Sequence, residues 1–194
     1  MGNARFWGPA LLLLVVVILV ALPSAAFAQI GAAQTPAGTD VQYRALSTST
    51  STFTLTAKEK LVIQLVNKQR TSRGLAPVRF HVALGKAARA HSAEMVHRRY
   101  FSHDSYSGAA FSSRLIYYGY KRTGYSSWSA GECIAWGQGL LGTPQAIVSA
   151  WMHSPPHRAI ILTARFRDVG VGVHSGSYMG GAFFFTLDFG KRSR

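Results

Sequence analysis

Val169-Gly170-Val171-Gly172-Val173 and Phe183-Phe184-Phe185-Thr186-Leu187-Asp188-Phe189 are the two runs on which the fold turns. In each, large apolar residues recur at every second position, the period of a strand. Ser175-Gly176-Ser177 lies between them and supplies a turn, so the pair reads as two antiparallel strands. Apart from Thr186 and Asp188 the remaining positions are small or apolar, which predicts helices over at least one face of the sheet.

Upstream of this pair the period changes to that of a helix. Thr56 is placed to cap a first helix, with Glu59 three residues on completing a capping box. Leu61, Val62, Leu65 and Val66 make its apolar stripe, and Gly74 followed by Pro77 marks its end. A second helix is predicted from Val82 to Arg99, with Leu84, Ala87, Ala88, His91, Met95 and Val96 on or beside one face. A short third helix runs from Ala110 to Tyr118 and stops at Gly119. Thr143-Pro144 gives an N-cap followed by proline at the first helical position, opening a helix through Trp151 that the Pro155-Pro156 pair is expected to stop. Helices first and a hairpin last fit a layered α+β domain.

The N-terminal part has another character. Arg5 precedes an apolar run from Ala10 to Leu22, and Ala26-Phe27-Ala28 forms an A-x-A site, so residues 1–28 read as an export leader cut before Gln29. The run is shorter than the ~17–25 residues of a spanning helix, which argues against a retained anchor and for no membrane span in the mature protein. Residues 29–54 are rich in Gly, Ala, Ser and Thr and read as a tether. Cys133 is the single cysteine, so no intramolecular disulfide is available, and its neighbours Ile134, Ala135 and Trp136 mark it as a core residue. Lys and Arg number 21 against 7 Asp and Glu, a formal charge of +14. That charge favours anionic partners such as an envelope polymer or lipid surface, or serves solubility alone. No zinc-finger spacing or aromatic-basic RNA motif is present, so the charge is not read as a nucleic-acid site.

Three segments stand out together: Tyr100-Phe101-Ser102-His103, Gly131-Glu132-Cys133-Ile134-Ala135, and Trp151-Met152-His153-Ser154-Pro155-Pro156-His157-Arg158. In this order they resemble the bacterial branch of the CAP superfamily, which groups cysteine-rich secretory proteins, antigen 5 and pathogenesis-related proteins. Val169 to Val173 and the ending Asp188-Phe189-Gly190 also look like that family's last strands. The resemblance implies a three-layer α-β-α sandwich with an antiparallel sheet over residues 55–190, with 191–194 left as a basic tail. It also implies an extracellular or envelope-associated protein whose cleft is lined by His103, Glu132, Ser154 and His157. Ser154 stands where many eukaryotic relatives carry a second acid, and Cys133 replaces an asparagine.

Two imidazoles and a carboxylate are a composition zinc accepts, with a fourth position left to water. His103, His157 and Glu132 are therefore candidate metal ligands, although histidines in a cleft also commonly hydrogen-bond a carboxylate. Loss of the second acid predicts that a divalent metal such as zinc binds weakly. Ser154 is followed by proline and lacks a G-x-S-x-G elbow, which argues against a nucleophilic triad. His91 reads as core, His97 as solvated, and His81 and His174 carry no assigned role; Trp128, Trp136 and Trp151 read as core. Two readings stay open: a noncatalytic binding module, preferred here, and a metal-assisted hydrolase using the same cleft.

Overall fold

A computed structural model describes residues 53–194. The leader and all but the last two residues of the tether lie outside that range. The elements follow the order α1 (Ala57–Thr71), β1 (Arg79–Phe80), α2 (Val82–Arg98), α3 (Phe111–Tyr117), β2 (Ser127–Gly137), α4 (Pro144–His153), α5 (Pro155–Ile161), β3 (Asp168–Ser175) and β4 (Phe183–Ser193).

The sheet has four strands in the order β1-β3-β4-β2. The expected β3–β4 hairpin is present, with Val171 opposite Leu187. β2 pairs antiparallel with β4 along its whole length, from Ser127–Ser193 to Gly137–Phe183. β1 pairs with β3 in parallel, so the sheet is antiparallel except at this two-residue edge. Lys191, Arg192 and Ser193, set apart above as a tail, continue β4 instead.

The pleat divides the sheet's side chains between two helical layers. Val169 and Val171 of β3, Phe185, Leu187 and Phe189 of β4 and Cys133 of β2 pack with Val62 and Val66 of α1, Val148 and Trp151 of α4, and Ile161 of α5. The opposite face meets α2, where Met95 and Val96 pack with Ile134 and Phe184, and Leu84 and Ala87 with Leu115 and Tyr120. The α-β-α sandwich is therefore the observed architecture. On that second face β3 carries Gly170 and Gly172, and α2 passes directly over them. A Cβ built on Gly170 would lie 2.1 Å from the Leu84 carbonyl carbon, and one on Gly172 would lie 2.2 Å from that of Ala88. Two residues of strand rise about 6.6 Å and four residues of helix about 6.0 Å, so the glycine pair keeps step with successive turns of α2. One turn further on, Ser92 Oγ donates to Gly172 O at 3.0 Å and shares a hydroxyl–hydroxyl hydrogen bond with Thr186 Oγ1 at 2.9 Å.

The capping box at Thr56 and Glu59 is formed. Thr143 and Pro144 open α4 as expected. Pro155-Pro156, however, does not terminate helical structure. It supplies the first turn of α5, a position where the missing N–H costs nothing. Ser154 is the single residue between α4 and α5, with extended φ and ψ of −94° and 112°. At the end of α1 the fully buried Arg70 donates to the carbonyls of Ala76, Ile161, Thr163 and Phe166, tying that helix to the loop ahead of β3.

Candidate functional site

Glu132 lies midway along β2, on the side of the strand that faces α2, and is 3% exposed. His103 comes from the segment between α2 and α3, and its Nδ1 lies 2.8 Å from Glu132 Oε1. The second carboxylate oxygen, Oε2, accepts a short charge-assisted hydrogen bond from Arg114 Nη2 of α3. Arg114 is 7% exposed and also donates to Ser105 Oγ at 3.0 Å, which fixes the loop carrying His103. Burial would push the Glu132 carboxyl up, but the Arg114 charge and the His103 hydrogen bond outweigh it and hold the group below the usual carboxylate range.

Directly across from Glu132 in the β2–β4 register is Asp188. It is fully buried, and neither of its oxygens meets a hydrogen-bond donor among the described residues. Burial, reinforced by the Glu132 charge, pushes its carboxyl well up. Of the two facing carboxyls, Asp188 is therefore the one that more readily keeps a proton, while Arg114 balances the charge of Glu132.

His157 sits in the first turns of α5, 6% exposed, with Nδ1 2.8 Å from Ser154 Oγ. Ser154 occupies the N-cap position of α5, yet its side chain makes no capping bond and turns to this imidazole. Burial of the ring, reinforced by nearby His103, pushes His157 down to about 4. The four residues expected in the cleft therefore form two pairs, His103 with Glu132 and His157 with Ser154. Cys133, beside Glu132 but on the other face of β2, reaches the His157 carbonyl at 3.8 Å. Burial pushes its thiol well up, as befits a core residue.

The pH consequence of His157 has a definite sign. An unfolded histidine binds a proton near pH 6.5, whereas this one does so near 4, so the unfolded state holds more protons between those values. Stability is full above about pH 6.5 and falls by as much as about 3 kcal/mol as pH drops through 4. Urea midpoints from pH 7 to 4 are expected to fall less steeply in His157→Asn than in the wild type. Parallel profiles would refute the assignment. Glu94, pulled down to about 2 against its burial by His91 and Tyr100, loses its contribution in a lower window, from about 4.5 through 2.

The composition of the cleft makes His103, His157 and Glu132 candidate ligands for a weakly bound divalent metal. Both Glu132 oxygens are engaged, by His103 and by a guanidinium that an ion would have to displace. Among the described residues no group of three or more His, Cys, Asp or Glu side chains is arranged to hold one. The residues do not fit a three-ligand centre.

The comparisons with known proteins bear on the family and the fold. The model of the cysteine-rich secretory protein family, CAP, matches residues 63–189. The chain belongs to the CAP family. Its relatives include YkwD of Bacillus subtilis (strain 168), 40% identical over 133 residues, which make up 68% of this chain and 48% of YkwD. The membrane protein YlbC of the same organism is 30% identical over 71% of this chain and 35% of its own length. The CAP chain thus spans about half or less of these relatives. An extracellular protein of Bacillus anthracis containing an SCP domain superposes with a TM-score of 0.58 at 25% identity, covering 74% of this chain and 45% of that one. An outer surface protein of Borrelia burgdorferi gives a TM-score of 0.57 at 19% identity, over 69% of this chain and 92% of its own, which shows a shared fold. Among the described residues no helix is long and apolar enough to cross a membrane.

Sequence reasoning missed Arg114 and Asp188. Arg114 is the lone charge in the apolar α3 stretch and Asp188 the lone acid in an apolar strand, and both signals were visible. His81, given no role, caps α2 by accepting from Ala83 N at 3.2 Å. The three tryptophans are no exposed stacking set: Trp151 is buried, Trp136 stacks on Phe184, and Arg122 lies over Trp128.

Proposed function

We propose that this CAP domain is a noncatalytic extracellular binding module, exported by a leader cut before Gln29. Its His103/Glu132 and His157/Ser154 cleft takes a ligand, and its basic surface draws it to an anionic envelope polymer or lipid. One observation carries the reading: the groups that chemistry would need are already committed to one another. Glu132 has both oxygens engaged, Ser154 Oγ is paired with His157, and no carboxylate hydrogen-bonds His157 among the described residues. An activated nucleophile needs a base that is itself oriented by a third group, and that link is missing. The description of the Bacillus anthracis neighbour as extracellular supports the location.

The test is a hydrolysis screen over peptide, ester and glycan substrates with the wild type and Glu132→Gln, alongside the intact mass of secreted material. No turnover and a mass beginning at Gln29 are expected. Robust turnover lost in Glu132→Gln would replace this reading with the hydrolase. A mass that retains residues 1–28 would overturn the export assignment.

A further inference from the structure

The fold gathers cations from four separate stretches of chain at one end of the sheet. The pairings Arg79–Asp168, Asp168–Gly190 and Trp128–Arg192 place the starts of β1, β3 and β2 beside the finish of β4. Arg79 is on β1, Arg165 and Arg167 lie in the loop ahead of β3, Arg122 lies in the turn ahead of β2, and Lys191 and Arg192 are on β4. Among the described residues none of the six forms a salt bridge. The carboxylate at this end, Asp168, accepts from the Tyr120 hydroxyl at 2.6 Å. A hollow of about 430 Å³ opens here, lined by Ala76, Pro77, Arg79, Arg167 and Asp168.

Two of the guanidiniums are held in place. Arg192 lies 4.3 Å from the Tyr120 ring centroid and 4.6 Å from that of Tyr125, and Arg122 lies 4.4 Å from that of Trp128. Stacked arginines lose less freedom on binding, and their planar forks match phosphate oxygens two at a time.

We infer that this end of the sheet is a docking surface for a linear phosphodiester polymer of the cell envelope. The inference rests on the binding-module reading and names the partner and the surface. Two features favour such a polymer over other polyanions. The rings that single-stranded bases would stack upon are already covered by guanidinium groups, which disfavours nucleic acid. The most exposed large apolar side chain, Leu140 at 87%, lies with Leu141 and Met179 at the other end of the sheet, so the basic end is not the one equipped to enter a bilayer.

The experiment measures binding of the full chain to poly(glycerol phosphate) at several salt concentrations, with anionic phosphatidylglycerol vesicles and a single-stranded oligonucleotide as further arms. The triple variant Arg122→Glu, Arg165→Glu, Arg167→Glu changes exposed residues of the basic end. The triple variant Lys60→Glu, Lys68→Glu, Lys86→Glu makes the same change in net charge at exposed positions on α1 and α2. Circular dichroism and thermal midpoints verify that both fold. The first variant is expected to weaken polymer binding on the order of 100-fold and lower the salt slope by about three, and the second by only a few-fold. Equal losses would overturn the surface and leave only net charge. Tighter binding to the vesicles or the oligonucleotide than to the polymer would overturn the choice of partner. If the wild type binds none of the three, the docking surface falls, while the binding-module reading is decided separately by the hydrolysis screen.

Discussion

Gly172→Ala is expected to destabilise the domain by more than about 4 kcal/mol, or to prevent folding outright. The added methyl would sit 2.2 Å from the Ala88 carbonyl carbon and oxygen and from Arg89 N. These are backbone atoms in the middle of α2, so no side-chain rotation relieves the overlap, and the helix must move off the sheet. Moving it would also break the Ser92 bonds to Gly172 and Thr186. Gly176→Ala is the control, because its new methyl meets only the Val96 side chain, at 2.5 Å, and Gly176 lies in the turn after β3, where a small shift of the chain relieves the contact. That variant is expected to cost about 1 kcal/mol, within the ordinary range for point mutants. Urea unfolding monitored by tryptophan fluorescence separates the two. A Gly172→Ala protein within about 1 kcal/mol of wild type would refute the close docking of α2 on β3.

The second large effect belongs to Arg114. Arg114→Met removes the cation from a buried pair and leaves the Glu132 carboxylate with only the His103 hydrogen bond, a change expected to cost about 3–5 kcal/mol at pH 7. In that variant Glu132 would take up a proton more readily than in the unfolded chain. Its penalty is therefore smaller near pH 5 than at pH 7, and grows as pH rises. Removing the carboxylate as well, in Arg114→Met with Glu132→Leu, is expected to recover much of the loss, since a buried ion pair replaced by apolar groups is often near neutral. The observation that would sink this account is a single Arg114→Met loss below about 1 kcal/mol that does not vary with pH. The same variant frees the loop bearing His103, which Arg114 fixes through Ser105 and the His103 carbonyl.

How far the sequence disclosed this arrangement depended on whether a signal was local. Caps are local: Thr56 with Glu59 and Thr143 with Pro144 announced α1 and α4 correctly. The β3–β4 hairpin was legible because apolar residues alternate along it. β2 was not legible, because Ser129-Ala130-Gly131-Glu132-Cys133-Ile134 is covered on both faces and keeps no period of two. α5 was hidden because proline is read first as a breaker, whereas at the head of a helix it is compatible. The pairing of Glu132 with Asp188 is a matter of strand register between residues far apart, to which no spacing rule applies. Gly170 and Gly172 were visible as small residues between valines, but their use as a seat for α2 depends on the helix they meet. His103, Glu132, Ser154 and His157 were named by family resemblance, whereas Arg114 as the partner of Glu132 and the pairing of His157 with Ser154 emerge only from three-dimensional contact.

Cys133 lies against the α5 side of the sheet, closed off by Trp151, Ile161 and the His157 carbonyl. As the chain's single thiol it is a built-in clock for the opening of that side. A thiol reagent reaches it only while the α5 layer is lifted, so the labelling rate in native buffer counts those excursions rather than the chemistry of the sulfur. Oxidants meet the same barrier. The domain's tolerance of an oxidising surrounding therefore depends on how seldom it breathes, with no need for a disulfide to protect it.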